Sequence, residues 1–153
     1  VSRLLHMCTS YFEGIVPEHF SLSEPENVLM SKWEEVKEKS LDLFAQFQFS
    51  QGLDELSGFI RSINKYADEC LPWKLAKSTE EKDQQNLKTC ISTMVEALRL
   101  ANALLVAVMP EVHTKINERL GLSLTEDWTK DLSWDNRLSG KQLKEKIILF
   151  PRK

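Results

Sequence analysis

Between Leu87 and Val108 the apolar residues fall at Leu87, Cys90/Ile91, Met94/Val95, Leu98, Ala101, Leu104/Leu105 and Val108, a near-heptad stripe with no Gly or Pro inside it. Such spacing collects the side chains on one side of a 3.6-residue helix, whereas a strand, whose side chains alternate between faces, would scatter them. A helix this long and this apolar on one side must bury that side against other elements. The rest of the chain therefore has to supply its partners, and most of it is patterned as further helices.

Leu4/Leu5, Cys8 and Tyr11/Phe12 predict a first helix over 1–12. It starts without a cap, which reads as a helix cut at its first turn in a chain taken from a longer protein. Gly14, Pro17 and Pro25 punctuate a connection, and Ser23-Glu24-Pro25-Glu26 reads as a helix entry with acids in the first turn. A second helix is expected from Val28 to about Phe49, with Trp33, Val36, Ser40, Leu43/Phe44 and Phe47 on one face and Ser50-Gln51-Gly52 ending it. A third runs from Leu53 to about Cys70, where Pro72 stops it. The striped helix extends from about Glu80 to Val108, and Pro110 opens a fifth with Val112, Ile116 and Leu120 on one side and Gly121 closing it. After Leu124 the pattern fades: Trp128 and Trp134 sit in polar surroundings, and Ile147 to Pro151 is a short apolar run that reads as a strand-like tail. The expected fold is all-α, an antiparallel bundle of about five helices over 1–122 with an irregular C-terminal extension over 123–153.

Composition narrows the chemistry. The 153 residues suffice for one domain with its own core, and five Gly and five Pro are too few for a many-turned sandwich or barrel. Leu104 to Met109, among the longest apolar stretches, falls far short of a membrane span, so no membrane partner is expected. Cys8, Cys70 and Cys90 are odd in number and widely spaced, which suits small core hydrophobes in a reducing, cytoplasmic compartment better than a disulfide framework. The net charge of −3 does not advertise a nucleic-acid binder, but it is unevenly spread. Glu24 to Asp42 carries six acids against three lysines, Arg61 to Lys77 four bases against two acids, and Arg137 to Lys153 six bases against one acid. The alternatives are ordinary solvated faces or two basic surfaces usable against phosphates.

The segment with the most local information is Asn64 to Lys77, where a helix ends, Pro72 fixes a turn, and Trp73 is presented beside Lys74 and Lys77. An indole beside cations can take an unstacked base on its ring while lysines hold phosphates. Read by itself, the segment fits somewhat better a Trp that covers the end of the bundle. Other candidates carry less. His6 and Cys8 are two apart and so point to different faces of a helix, which disfavours a metal pair. His113, near a helix start, reads as solvated or capping, and the adjacent Glu34 and Glu35 cannot face one substrate. No catalytic residue and no metal site can be assembled from this sequence, and it has no glycine-rich phosphate loop.

Asn64-Lys65-Tyr66-x-Asp68-Glu69-x-x-Pro72-Trp73-x-Leu75-Ala76-Lys77 resembles a motif of the methionyl-tRNA synthetase anticodon-binding domain. Tyr11-Phe12-x-Gly14-x-Val16-Pro17, Ala97-Leu98-Arg99 through Met109-Pro110-Glu111, and Trp134, Gly140 and Leu149-Phe150-Pro151-Arg152 resemble further pieces of that domain in the same order, so the likeness covers nearly the whole chain. The resemblance implies a class I synthetase that joins methionine to its tRNA using ATP with magnesium, and a helical domain that reads the CAU anticodon of tRNA(Met). It implies that Trp73 stacks on the first anticodon base, that Pro72 sets the ring's angle, and that Arg3 hydrogen-bonds anticodon bases. Asn64, Lys65 and Lys77 would brace the turn or contact phosphates, and the partners would be the tRNA anticodon stem-loop and the catalytic domain of the same polypeptide. The extension over 123–153 would pack back on that catalytic domain. Lys74-Leu75-Ala76-Lys77-Ser78 looks like a degenerate Lys-Met-Ser-Lys-Ser loop, but it follows Pro-Trp with no nucleotide fold before it, so adenylation belongs elsewhere. Two other readings are the matching domain of another class I synthetase, such as the isoleucyl or cysteinyl enzyme, and a bundle turned protein-interaction scaffold.

Overall fold

The structure is a computed structural model that describes residues 11, 12, 15, 17, 24–120, 132 and 134. It is all-α, with helices α1 (Glu24–Ala45), α2 (Phe49–Cys70), α3 (Pro72–Leu75), α4 (Glu81–Leu105) and α5 (Pro110–Leu120) among those residues. The expected first helix lies outside the described residues except for Tyr11 and Phe12, which are helical and pack on the core. Gly121 and the strand-like run over 147–151 also lie outside them.

Helices α1 and α2 form an antiparallel hairpin. As α1 advances from Glu26 to Trp33 to Phe44, the partner on α2 retreats from Tyr66 to Phe59 to Gly52. Helix α1 begins four residues before the expected start, because Pro25 in a first turn forfeits no intrahelical hydrogen bond. It ends at Ala45 rather than Phe49, in a turn where Phe47 takes a left-handed φ of 60° and the Gln48 N–H donates to the Leu43 carbonyl at 2.9 Å. Helix α2 then starts at Phe49, so Ser50-Gln51-Gly52 opens a helix instead of closing one. Gly52 is there for close approach: a Cβ on it would lie 2.3 Å from Phe44 Cε1.

Helix α4 is the axis of the bundle, packing against α1, α2, α3 and α5. Every residue from Thr89 to Leu105 is buried, so the expected single stripe is in fact a helix covered on all sides. Several of its polar groups are paired, while Thr93 Oγ1 and Asn102 Oδ1 are buried without a hydrogen-bond partner. Glu96 and Arg99 form a buried ion pair, and the Asn102 side-chain amide donates to Asn117 Oδ1 on α5 at 2.7 Å. His113, expected to be solvated or capping, is instead buried; its Nδ1 lies 2.6 Å from the Asn102 carbonyl and its Nε2 3.1 Å from the Asn117 amide nitrogen. A buried ring nitrogen without such partners would carry an uncompensated desolvation cost. Helix α4 stops at Leu105, short of Val108, and tightens into a turn in which the Met109 N–H donates to the Leu105 carbonyl at 2.7 Å before Pro110 begins α5.

The centre of the hairpin holds Trp33 against Phe59, ring centroids 5.1 Å apart and tilted by 50°. The Trp33 indole N–H donates to the Leu132 carbonyl at 3.0 Å. Leu132 is 3% exposed and Trp134 packs on the same core, so these two residues lie against this bundle.

Candidate nucleic-acid interface

The sequence Cys70-Leu71-Pro72-Trp73 makes a helix-to-helix corner. The Leu71 N–H donates to the Ala67 carbonyl at 3.0 Å while its own backbone is left-handed, φ 51° and ψ 59°, a conformation more common for glycine at a helix end. Pro72, buried, starts α3 with a pre-set φ and no N–H to satisfy. The turn is thereby fixed from both sides, and Trp73 follows it half-buried. Leu75 and Ala76 pack on the core and anchor the far side of α3. Lys74 and Lys77, one and four residues after Trp73, are exposed.

The loop after α3 is pinned to the first turn of α4. The Ser78 hydroxyl donates to Asp83 at 2.6 Å and accepts from the Glu80 N–H at 3.2 Å, while the Gln84 amide donates to the Ser78 carbonyl at 2.5 Å. The Lys-Leu-Ala-Lys-Ser segment is thus a capped inter-helix loop, with Ser78 engaged in holding α4.

Behind the corner, α2 presents two faces. Arg61, Asn64, Lys65 and Asp68 are exposed at helical spacing and lead along one side toward Trp73. Lys65 reaches Glu69 at 3.8 Å, an exposed pair that contributes little. On the inner side, the Tyr66 hydroxyl donates to Glu26 Oε1 at 2.6 Å and clamps the first turn of α1 to the last turns of α2. Burial first, then Cys90 and the Glu26 contact, push the Tyr66 hydroxyl pKa far above the tyrosine range. Beside it the Cys90 thiol is pushed up by its hydrogen bond with Cys70 and by burial, whereas that same hydrogen bond holds Cys70 down against its own partial burial.

Of the residues singled out from sequence, Pro72, Trp73 and Lys77 lie together at the corner, and Asn64 and Lys65 lie one to two turns back on α2. Arg3 is outside the described residues. Sequence reasoning missed Tyr66 and Glu26 as the brace under the corner, since they are 40 residues apart. A groove of about 420 Å³ adjoins this brace, lined by Pro25, Val28, Leu29, Ser62 and Tyr66 together with the acids Glu24 and Glu69 and the lysines Lys32 and Lys65. Among the described residues no group of His, Cys, Asp or Glu could hold a metal ion, and no helix is long and apolar enough to cross a membrane. The arrangement is suited to binding: an indole at a proline-set corner, exposed lysines within four residues of it, and a polar face on the preceding helix.

No family model matches the chain. It is similar to the methionine–tRNA ligase of Clostridium tetani, 32% identical over 152 residues, an alignment that covers 99% of this chain and 23% of the relative. The methionine–tRNA ligase of Caldanaerobacter subterraneus subsp. tengcongensis is 33% identical over 154 residues, covering 99% of this chain and 24% of the relative. Among solved structures, Mycobacterium tuberculosis methionyl-tRNA synthetase in complex with methionyl-adenylate superposes with a TM-score of 0.91 at 26% identity, covering 99% of this chain and 30% of that one. The chain spans about a quarter of the length of the curated relatives it matches.

Proposed function

Because this chain belongs to the methionyl-tRNA synthetase family, as a domain-sized part of it, we propose that it is the anticodon-binding domain of a methionine–tRNA ligase. In this reading it takes the CAU anticodon loop of tRNA(Met) and holds the tRNA for a catalytic domain of the same cytoplasmic polypeptide. That catalytic part uses ATP with magnesium to activate methionine. The described residues offer no cluster for a metal ion, so no step of activation is assigned to them. Their work is recognition.

The observation that carries this reading is the corner at Leu71 to Trp73. A left-handed residue and a buried proline fix the backbone that carries the ring, so little backbone entropy remains to be lost when a base stacks on it. The first anticodon base lies on the Trp73 ring, and Lys74 and Lys77 meet the neighbouring phosphates. Asn64 and Lys65 extend the contact along α2, and Arg3 adds hydrogen bonds to the bases.

Titrating the 153-residue chain with anticodon stem-loops carrying CAU or a changed first base tests this. Loss of base stacking is worth roughly 1–3 kcal/mol, so Trp73→Ala should weaken CAU binding by about 5- to 150-fold and abolish the preference for the first base. Lys77→Ala should weaken both loops alike and flatten the salt dependence by about 0.7 in log–log slope for each single-strand phosphate lost. If Trp73→Ala leaves the base preference intact, Trp73 is a cover for the bundle's end and the reading fails.

A further inference from the structure

The turn that joins α1 to α2 displays aromatic surface that the bundle does not bury. Phe44 stacks on Phe49 with ring centroids 6.1 Å apart, and Phe47 meets Phe49 edge-on at 6.2 Å, so three rings run in a row across the hairpin tip. Phe47 is 81% exposed and Phe49 42%. Phe47 also holds a left-handed φ of 60°, a conformation that glycine or asparagine adopts at less cost. A large ring on a strained backbone, left in solvent, contributes little to folding. Strain of this kind collects at binding surfaces, and exposed apolar patches mark contacts with other molecules.

The surroundings of the tip select its partner. A groove of about 430 Å³ formed by the last turns of α1 and the first turns of α2 is lined by Lys39, Asp42, Leu43, Gln51, Asp54 and Glu55. Lys39 is engaged with Glu35 at 2.8 Å, which leaves the groove acidic. Phosphates are repelled there, so the tip is not an RNA surface. A second copy meeting it tip to tip would set the same acids against each other. The complement is a protein surface with an apolar recess flanked by Lys or Arg. Helix α2 spans 22 residues from the tip to Cys70, which puts the tip about 33 Å from the Trp73 corner. An anticodon loop held at the corner therefore leaves the tip to face the part of the enzyme that acts on the other end of the tRNA. This chain aligns with 23% and 24% of its curated relatives, so that part belongs to the remainder of such a polypeptide.

We propose that Phe44, Phe47 and Phe49 dock this domain onto the remainder of its own polypeptide. Phe47 enters an apolar recess there, and Asp42, Asp54 and Glu55 meet the basic side chains around it. The aromatic anchor supplies affinity as it loses water, and the acids set the register and oppose wrong partners. That the tip faces the catalytic part rests on the anticodon reading above; the docking contact itself does not.

The test follows hydrogen exchange over residues 44–51 in the 153-residue chain and in the full polypeptide that carries it. Docking should slow exchange there by about tenfold in the full polypeptide, and Phe47→Asn should remove the difference. Asparagine tolerates the left-handed backbone, so the variant keeps the turn. Equal exchange in the two wild-type proteins overturns the proposal. In the full polypeptide, Phe47→Asn should lower kcat/KM for charging tRNA by about tenfold, while methionine-dependent ATP–pyrophosphate exchange, which needs no tRNA, stays at the wild-type rate. Unchanged charging overturns a role in the enzyme. A dimer of the 153-residue chain in light scattering that Phe47→Asn dissolves would make a second copy the occupant and overturn the proposal as well. Binding of the CAU stem-loop to the 153-residue chain should be the same with and without Phe47→Asn. Absence of that binding in the wild-type chain refutes the anticodon reading, and the exchange comparison still decides the docking.

Discussion

Tyr66→Phe isolates the brace beneath the Trp73 corner. The substitution keeps the ring in its buried place and removes only the hydroxyl that donates to Glu26 at 2.6 Å. A hydrogen bond to a carboxylate contributes about 1.5–3 kcal/mol, and a chain of 150–250 residues loses roughly 2–4 °C of Tm per kcal/mol. The expected loss is therefore about 3–12 °C. The pH dependence supplies an independent check. The native hydroxyl pKa is raised, so the folded state keeps its proton where the unfolded state, with its value near 10, releases it. The stability that Tyr66 contributes is thus fully present below about pH 10 and is lost above it, by up to about 1.4 kcal/mol per pH unit. The Phe variant lacks that share, whereas the alkaline loss from the elevated Cys90 thiol, starting near pH 8.5, should persist in both chains. Urea unfolding followed by Trp fluorescence between pH 7 and 11 gives both quantities. A loss below about 0.5 kcal/mol at pH 7, or an unchanged slope above pH 10, would refute the clamp.

Gly52→Ala should destabilise the chain by about 1 kcal/mol, because the clash with Phe44 outweighs the ~1 kcal/mol gain in helix propensity. Phe44 cannot swing away freely, since it stacks on Phe49 at 6.1 Å. Combining the change with Phe44→Leu should recover the loss in a double-mutant cycle, and a stabilising single mutant would disprove the close approach. Phe47→Gly should raise stability by about 0.5–1 kcal/mol, since the ring is 81% exposed and its left-handed backbone strains any residue but glycine. A lower urea midpoint for Phe47→Gly would mean that its edge contact with Phe49 outweighs that strain.

What the residues alone disclosed depended on range. Helix α2, with Leu56, Phe59, Ile63 and Tyr66 buried at its spacing, was readable because the period is local. The hairpin turn was misread because Gly52 has two meanings in sequence, a helix stop and a point of close contact, and only Phe44 across the hairpin decides between them. Helix α4 showed its stripe but not its full burial. Glu96, Arg99 and Asn102 look like a solvent face until Asn117 and His113 are seen to engage the amide nitrogen and the carbonyl of Asn102 from another helix. At the corner, the Pro72-Trp73 turn was visible because it is contiguous. The Tyr66–Glu26 clamp was not, since it joins residues 40 apart that only the packed bundle brings together.

The bond from Trp33 to Leu132 spans 99 residues of chain. During synthesis at roughly 5–20 residues per second, the indole waits about 5–20 s for its acceptor to be made. A nascent α1–α2 hairpin can bring Trp33 onto Phe59 long before then, but it does so with an N–H that still needs water. The inside of the hairpin is therefore wet on the ribosome and dries only once Leu132 has been made.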